Sequence, residues 1–245
     1  MKVGIIGGTG GMGKGFAIRW CKDHNVLIGS RDAERANTSA QEYSELAKEA
    51  YGSVNGNIIG TDNATVAKES DVLILSIPYE NIDAICSELL PQINDNCVVV
   101  SPIVPMTKTD TGFECVAIKE NKPFSHQTVE KHMKDKTKLV SAFHVISEKK
   151  LVNPTLKLDY DIFVAGDSKE SVEVVNGLIN ATKKLKPGGK ILAISFHSIE
   201  DRIIKYFFSN FSKNRSRPSR YLPEDKKNKL ILFEEYKNKV IVPSK

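Results

Sequence analysis

Short apolar runs recur through the first 180 residues, each closed by a turn residue such as Gly, Ser or Pro. Met1–Gly7, Val26–Gly29, Asp71–Pro78, Cys97–Val100 and Leu139–Phe143 read as strands. Their nearly unbroken Val, Ile and Leu content fits strands buried on both faces, where no polar alternation is needed. The first is followed by a helical pattern through about His24. Ala36–Tyr51, Asn63–Glu69 and Ile82–Leu90 are the other helical stretches. Strand and helix in alternation predict an α/β fold built on a doubly wound parallel sheet. Ligands of such sheets bind beyond the carboxyl ends of the strands. That rule gathers Thr9, Ser30, Ser76–Tyr79, Ser101–Pro105 and His144 onto one surface.

The turn after the first strand sharpens this picture. Gly8-Thr9-Gly10-Gly11-Met12-Gly13 is G-x-G-x-x-G with a strand before it and a helix after it, the context in which that spacing marks a Rossmann dinucleotide site. Gly8 is expected to make the tight turn, Gly10 to let the backbone approach a pyrophosphate, and Gly13 to let helix and strand pack closely. The helix N-terminus adds free N–H groups and a partial positive charge. The second strand then runs into Ser30 and Arg31, with Arg35 one helical turn later. Chains that take NAD place Asp or Glu in this slot to bind the ribose hydroxyls. A carboxylate would repel a 2′-phosphate, whereas a hydroxyl and two guanidinium groups receive it. Each charge-assisted hydrogen bond contributes roughly 1.5–3 kcal/mol. The expected ligand is therefore NADP(H), held by a domain over residues 1–178. Asp32 and Glu34 leave a surface ion pair as the competing reading of Arg35, and His144 reads equally well as a structural histidine.

Composition narrows the class without changing it. The 245 residues are 40% hydrophobic and 27% charged, which excludes disordered and fibrous chains. No apolar run approaches the roughly 18 residues of a membrane span, and a strand at the first residues leaves no room for a cleaved signal peptide. The four cysteines, Cys21, Cys86, Cys97 and Cys115, show neither C-x-x-C pairing nor clustering with histidine, so no metal site or disulfide framework is suggested. The expectation is a soluble, cytoplasmic chain. Charge is divided unevenly: residues 1–180 carry 19 Lys+Arg against 24 Asp+Glu, and residues 181–245 carry 16 against 6. That asymmetry suggests different origins or partners for the two parts.

Several motifs occur together and in order: Gly7 to Gly15, Gly29-Ser30-Arg31, Ser76-Ile77-Pro78-Tyr79-Glu80, Ser101-Pro102-Ile103-Val104-Pro105, Val140-Ser141-Ala142-Phe143-His144 and Asp161 to Asp167. In these the chain resembles the NADPH-dependent reductases of the 5-deazaflavin coenzyme F420, over roughly residues 1–178. The resemblance implies an oxidoreductase that moves hydride directly between NADP(H) and coenzyme F420, two small-molecule cofactors whose rings carry the redox chemistry. No catalytic nucleophile or acid–base pair is then required. It also implies that Thr9, Gly10, Gly11 and Met12 hold the pyrophosphate, and Ser30, Arg31 and Arg35 the 2′-phosphate. Ser76, Ile77 and Pro78 would line the ribose and nicotinamide side, and Pro102, Val104, His144 and Ile146 the deazaflavin side. Ser147 departs from the family, which often has proline there. A homodimer is left open.

Beyond Asn180 the chain changes character. Leu185-Lys186-Pro187-Gly188-Gly189-Lys190 leads into a strand Ile191–Phe196 and a helix opened by Ser198, with Asp201 completing a near capping box, so a short C-terminal βα appendage is predicted. With Ile194-Ser195-Phe196-His197-Ser198-Ile199-Glu200-Asp201-Arg202, this region resembles the end of the ribosomal small-subunit RNA cytosine methyltransferases. The methyl-donor site of that family lies earlier in its sequence, so methyl transfer is not expected here. The basic run Lys213–Arg220 reads first as a solvated loop and second as an RNA contact. The chain is thus expected to be composite, with a junction near Val175–Ala181 and a basic segment over 179–245. Two rivals to the reductase reading stand: an NADP-binding protein without turnover, and another NADP-linked dehydrogenase.

Overall fold

The computed structural model describes residues 1–110, 112–116, 124–156, 158 and 162–179. All of them lie in the first of two units into which the chain divides, Met1–Gly188. The expected strand Ile191–Phe196, the Ser198 cap and the basic run Lys213–Arg220 fall outside the described residues. The chain runs β1 (Lys2–Ile6), α1 (Gly11–Trp20), β2 (Asn25–Ser30), α2 (Ala33–Tyr51), β3 (Ile58–Asp62), α3 (Asn63–Glu69), β4 (Val72–Leu75) and α4 (Ile82–Leu89). It continues through β5 (Val98–Ser101), β6 (Met106–Thr109), β7 (Gly112–Cys115), α5 (Ser125–Glu130), β8 (Leu139–Ser141), α6 (Glu148–Leu151), β9 (Ala165–Gly166) and α7 (Lys169–Leu178).

One sheet has the order β3-β2-β1-β4-β5-β8-β9, and β6 pairs with β7 as a separate antiparallel hairpin. Pairing is parallel from β3 through to β8, and β9 joins the far edge antiparallel. Successive strand residues face opposite sides, so each strand feeds two cores. Val3, Ile5, Ile28, Val72 and Ile74 pack under Phe16 and Ile18 of α1 and Tyr43 of α2. Ile6, Leu73, Leu75 and Val99 pack under Val66 of α3, Ile82 of α4 and Val129 of α5. Burial on both faces is the reason these strands are apolar throughout.

Departures from the expected elements have local causes. β3 is an edge strand with two large apolar residues, Ile58 buried and Ile59 47% exposed, and so gives no apolar run. α1 stops at Trp20 rather than near His24, because the Asp23 and His24 N–H groups both turn back to the Trp20 carbonyl, at 3.1 and 2.8 Å. α2 starts three residues early, at Ala33, because Asp32 caps it. The strands expected over 71–78 and 139–143 are shorter, since their last residues leave the sheet to form the loops at its carboxyl end. Cys21, Cys86 and Cys97 are buried free thiols, pushed up to about 11, 12 and 12 by desolvation. They stay protonated and unreactive at neutral pH. Among the described residues no helix is long and apolar enough to cross a membrane.

Arg19, near the end of α1, organises the loop after α6. Its Nε donates to the Leu151 carbonyl at 2.9 Å, and Nη2 reaches the carbonyls of Leu156 at 2.9 Å, Lys150 at 3.3 Å and Asn153. Partial burial lowers its pKa by desolvation, yet an arginine remains charged throughout the ordinary pH range. Replacing it with methionine keeps the apolar stem and strands those acceptors. Arg19→Met should therefore destabilise the fold by about 1–3 kcal/mol. Thermal unfolding of the two proteins checks this, and an unchanged Tm would show that water replaces the guanidinium at no cost.

Candidate functional site

The loops at the carboxyl ends of β1, β2, β4, β5 and β8 carry the residues expected to bind ligand. The first of them corrects one assignment. The tight turn is made by Gly7, whose φ of +72° lies in the left-handed region, and not by Gly8. Gly8 lies against β2, where a Cβ would stand 2.6 Å from that of Ile28, and its N–H donates to the Gly29 carbonyl at 3.0 Å. Gly13 has its expected role: a Cβ there would stand 2.6 Å from Gly8 Cα and 2.7 Å from the Gly8 oxygen. Backbone thus packs on backbone where α1 leaves the turn. Gly10 caps α1 without a side chain; its N–H bonds the Gly7 carbonyl at 3.1 Å and its carbonyl accepts from Lys14 at 2.8 Å. The N–H groups of Thr9, Gly11, Met12 and Gly13 have no acceptor among the described residues. They form a nest of donors at a helix N-terminus, which suits an anion.

At the end of β2, Ser30 is half-buried, and Arg31 and Arg35 are exposed. Ser30 Oγ accepts from the Asp32 N–H at 3.2 Å. The Asp32 carboxylate accepts from the N–H groups of Glu34 at 3.0 Å and Arg35 at 3.2 Å, so it caps α2. Neither guanidinium forms an ion pair among the described residues. The competing reading of Arg35, a surface ion pair with Asp32 or Glu34, is therefore not what the fold contains. Ser30 and Arg31 thus stand at the end of β2 and Arg35 in the first turn of α2, with the intervening Asp32 carboxylate engaged in capping that helix.

Beyond β4, the Ser76 N–H bonds the Ile6 carbonyl at 3.0 Å, which places Ser76, Ile77 and exposed Pro78 next to the β1 turn. Beyond β5, Pro102 is buried and Val104 half-buried. Ser101 and Ser141 are register partners at the ends of β5 and β8, and Ser141 Oγ is 2.7 Å from His126 Nδ1. The Ser101 hydroxyl, fully buried, has no partner among the described residues. His126 carries no sequence signal, and its pairing with Ser141 none either, since α5 reaches β8 only through the fold. Phe143 takes a φ of +70°, rare for a bulky residue. An aromatic cluster holds it there: Phe16 lies 5.0 Å from its ring, Trp20 5.7 Å, and Phe16 stacks on Trp20 at 4.5 Å. The turn delivers His144 to the exposed surface while Ile146 returns to the core, 8% exposed. Ile146 lines a cavity of about 330 Å³ with Phe16, Trp20, Phe143 and Leu158, toward the other end of α1. It sits on a different side of its loop from His144.

Residues 2–105 match the family described as NADP oxidoreductase, coenzyme F420-dependent. The F420-dependent NADP reductase of Methanocaldococcus jannaschii is 34% identical over 180 residues, covering 74% of this chain and 79% of that protein. The chain belongs to the F420-dependent NADP reductase family. The F420-dependent NADP reductase of Methanothermobacter thermautotrophicus aligns at 28% identity over 229 residues, 91% of this chain and 97% of its own, and so extends past residue 180. Residues 118–245 match the MraW methylase family, and the chain belongs to that family through its C-terminal half. This reductase-family chain is therefore composite, and the methylase match starts well upstream of residue 176. The ribosomal RNA small subunit methyltransferase H of Methylocella silvestris is 51% identical over 51 residues, 21% of this chain and 15% of that enzyme. In fold, the chain is similar to a crystal structure described as an F420-dependent NADP-reductase from Arthrobacter, with a TM-score of 0.53 and 19% identity over 75% of this chain and 82% of that one.

Two outcomes test the site of this reductase-family chain. Gly13→Val forces side-chain atoms into the Gly8 backbone, so it should abolish dinucleotide binding and lower Tm; normal binding by the variant would refute the packing argument. Desolvation first, and His126 second, hold the His144 pKa below 6.5. The unfolded chain then binds this proton more readily than the fold does. The resulting stability is present above pH 6.5 and is lost as the pH falls through the folded value. In an NMR titration His144 should show a midpoint below 6.5, raised in His126→Gln; a midpoint at or above 6.5 would contradict the placement.

Proposed function

We propose that residues 1–178 bind NADP(H) and transfer hydride between it and the 5-deazaflavin coenzyme F420. One observation carries the dinucleotide choice: the β2 end presents a hydroxyl and two guanidinium groups without an ion pair among the described residues, while its nearest carboxylate, Asp32, is used in capping α2. The free N–H groups of Thr9, Gly11, Met12 and Gly13 fit the pyrophosphate. Ser76, Ile77 and Pro78 line the nicotinamide side. Pro102, Val104 and His144 form the opposite wall, with Ile146 supporting it from behind. Membership of the reductase family supports the choice of acceptor.

When bound, the two cofactors supply the redox chemistry: a hydride leaves the dihydronicotinamide, and the deazaflavin gains it together with one proton from water. The chain's own residues bind, orient and exclude solvent. Stacked rings must lie within roughly 3–3.5 Å, and an ångström of misplacement costs about a hundredfold in rate. This makes the walls, and not a general base, the part of the protein that sets turnover. A neutral His144 at pH 7 suits a wall that places no positive charge against the acceptor.

A second reading keeps binding and loses turnover. It is favoured by the match of residues 118–245 to a methylase family, because that stretch includes the closing segment with which reductases complete the acceptor pocket. Homodimerisation and an RNA contact by the basic 179–245 segment belong to the same open question. Stopped-flow mixing of NADPH with oxidised coenzyme F420 separates the readings. Turnover at a rate unimproved by a reductase-type ending in place of 181–245 supports the first; binding without hydride transfer supports the second. On cofactor choice, NADPH should bind at least about tenfold more tightly than NADH, the value of one charge-assisted contact or more. Arg31→Ala should lose most of that preference, and equal affinities in the unaltered protein would overturn it.

A further inference from the structure

Helix α1 presents Gly11, Gly15 and Arg19 at intervals of four residues, which is one stripe along its surface. α6 and the residues after it lie on that stripe. A Cβ on Gly15 would stand 2.6 Å from Leu151 Cγ and 2.8 Å from the Leu151 carbonyl carbon, and Arg19 grips the carbonyls that follow. At the other end stands Glu148. A Cβ on Gly11 would overlap its carboxylate and lie 3.0 Å from its Cγ. The carboxylate therefore touches the first turn of α1, beside the N–H groups that have no acceptor. No described residue donates to it or pairs with it.

We propose that Glu148 is an affinity-setting residue of the dinucleotide site: its carboxylate opposes the pyrophosphate, and its rotation away from α1 is a condition of NADP(H) binding. This rests on the dinucleotide reading above. A helix N-terminus offers about half a positive charge over one turn, and carboxylate and pyrophosphate compete for it. Arg19 and the Gly15 contact fix the α6 backbone, so relief comes from the Glu148 side chain and not from displacement of the helix. Two like charges 4 Å apart, even at the dielectric constant of water, change a dissociation constant about fivefold. The effect is selective for the part of the ligand at α1. The end of β2, where Ser30, Arg31 and Arg35 lie, is untouched by Glu148.

Glu148→Gln keeps the size of the side chain and removes its charge. By calorimetry, NADPH and NADP+ should bind about fivefold more tightly to this variant than to the unaltered chain. Adenosine 2′-monophosphate, which has the 2′-phosphate but no pyrophosphate, should bind both proteins equally. Unchanged or weaker NADPH binding by E148Q would overturn the inference, the weaker case meaning that Glu148 accepts a hydrogen bond from the ligand. An equal gain for adenosine 2′-monophosphate would overturn it too, by showing a diffuse charge effect. Failure of both proteins to bind NADPH would instead remove the dinucleotide reading, and this inference with it.

Discussion

Backbone-on-backbone contact between α1 and the β1 turn is the constraint from which the rest of the site follows. Gly13 lies so close to Gly7 and Gly8 that a single added carbon would enter the turn. That approach sets the first turn of α1 at the end of the sheet, leaving the N–H groups of Thr9, Gly11, Met12 and Gly13 without an acceptor among the described residues. Were α1 pushed out by the width of a methyl group, the donors would diverge and the stripe of Gly11, Gly15 and Arg19 would lose α6 as well. The donors proposed for the dinucleotide and the wall proposed for the acceptor therefore both depend on one close contact. Interiors pack too densely to absorb such a displacement elsewhere.

Around that contact, each functional loop is fixed by a residue that takes no ligand. Asp32 caps α2 and thereby sets where Arg31 and Arg35 emerge. Phe143, held in left-handed backbone by Phe16 and Trp20, turns His144 outward. Such a conformation costs of order 1–3 kcal/mol and persists only where packing over-determines it. Arg19 ties two carbonyls of α6 and two after it to α1, which joins the segment following β8 to the helix that opens at the glycine turn.

The composite nature of the chain meets the fold at the same place. The reductase-family model matches residues 2–105, which include β1 to β5, while whole reductases align over 180 and 229 residues, and the methylase model matches 118–245, which include β8 and α7. β8 nevertheless pairs with β5 in parallel register, Ser101 opposite Ser141, and Val175 and Leu178 of α7 pack into the same core as β1 and α1. One sheet thus runs through the stretch in which the two matches follow one another, its strands carrying apolar residues on both faces.

The sequence by itself determined the sheet, the glycine turn and the charge character of the β2 end. These depend on local patterns: apolar runs for strands buried on both faces, Gly spacing for the turn, and Ser30-Arg31 where a carboxylate would stand. Tertiary structure decided what depends on distant partners. β3 carries too little apolar surface to be read as a strand and exists because β2 offers it an edge. Which glycine takes the positive φ was settled by the Ser76 carbonyl over Gly7 and the Ile28 side chain over Gly8. His126 meets Ser141, and Glu148 meets Gly11, across separations that no periodicity spans. Ile146, close to His144 in sequence, faces the core because the strained turn at Phe143 sends the two side chains to different sides. Local pattern fixes how a segment folds on itself; the burial of one segment against another fixes which side chains the site receives.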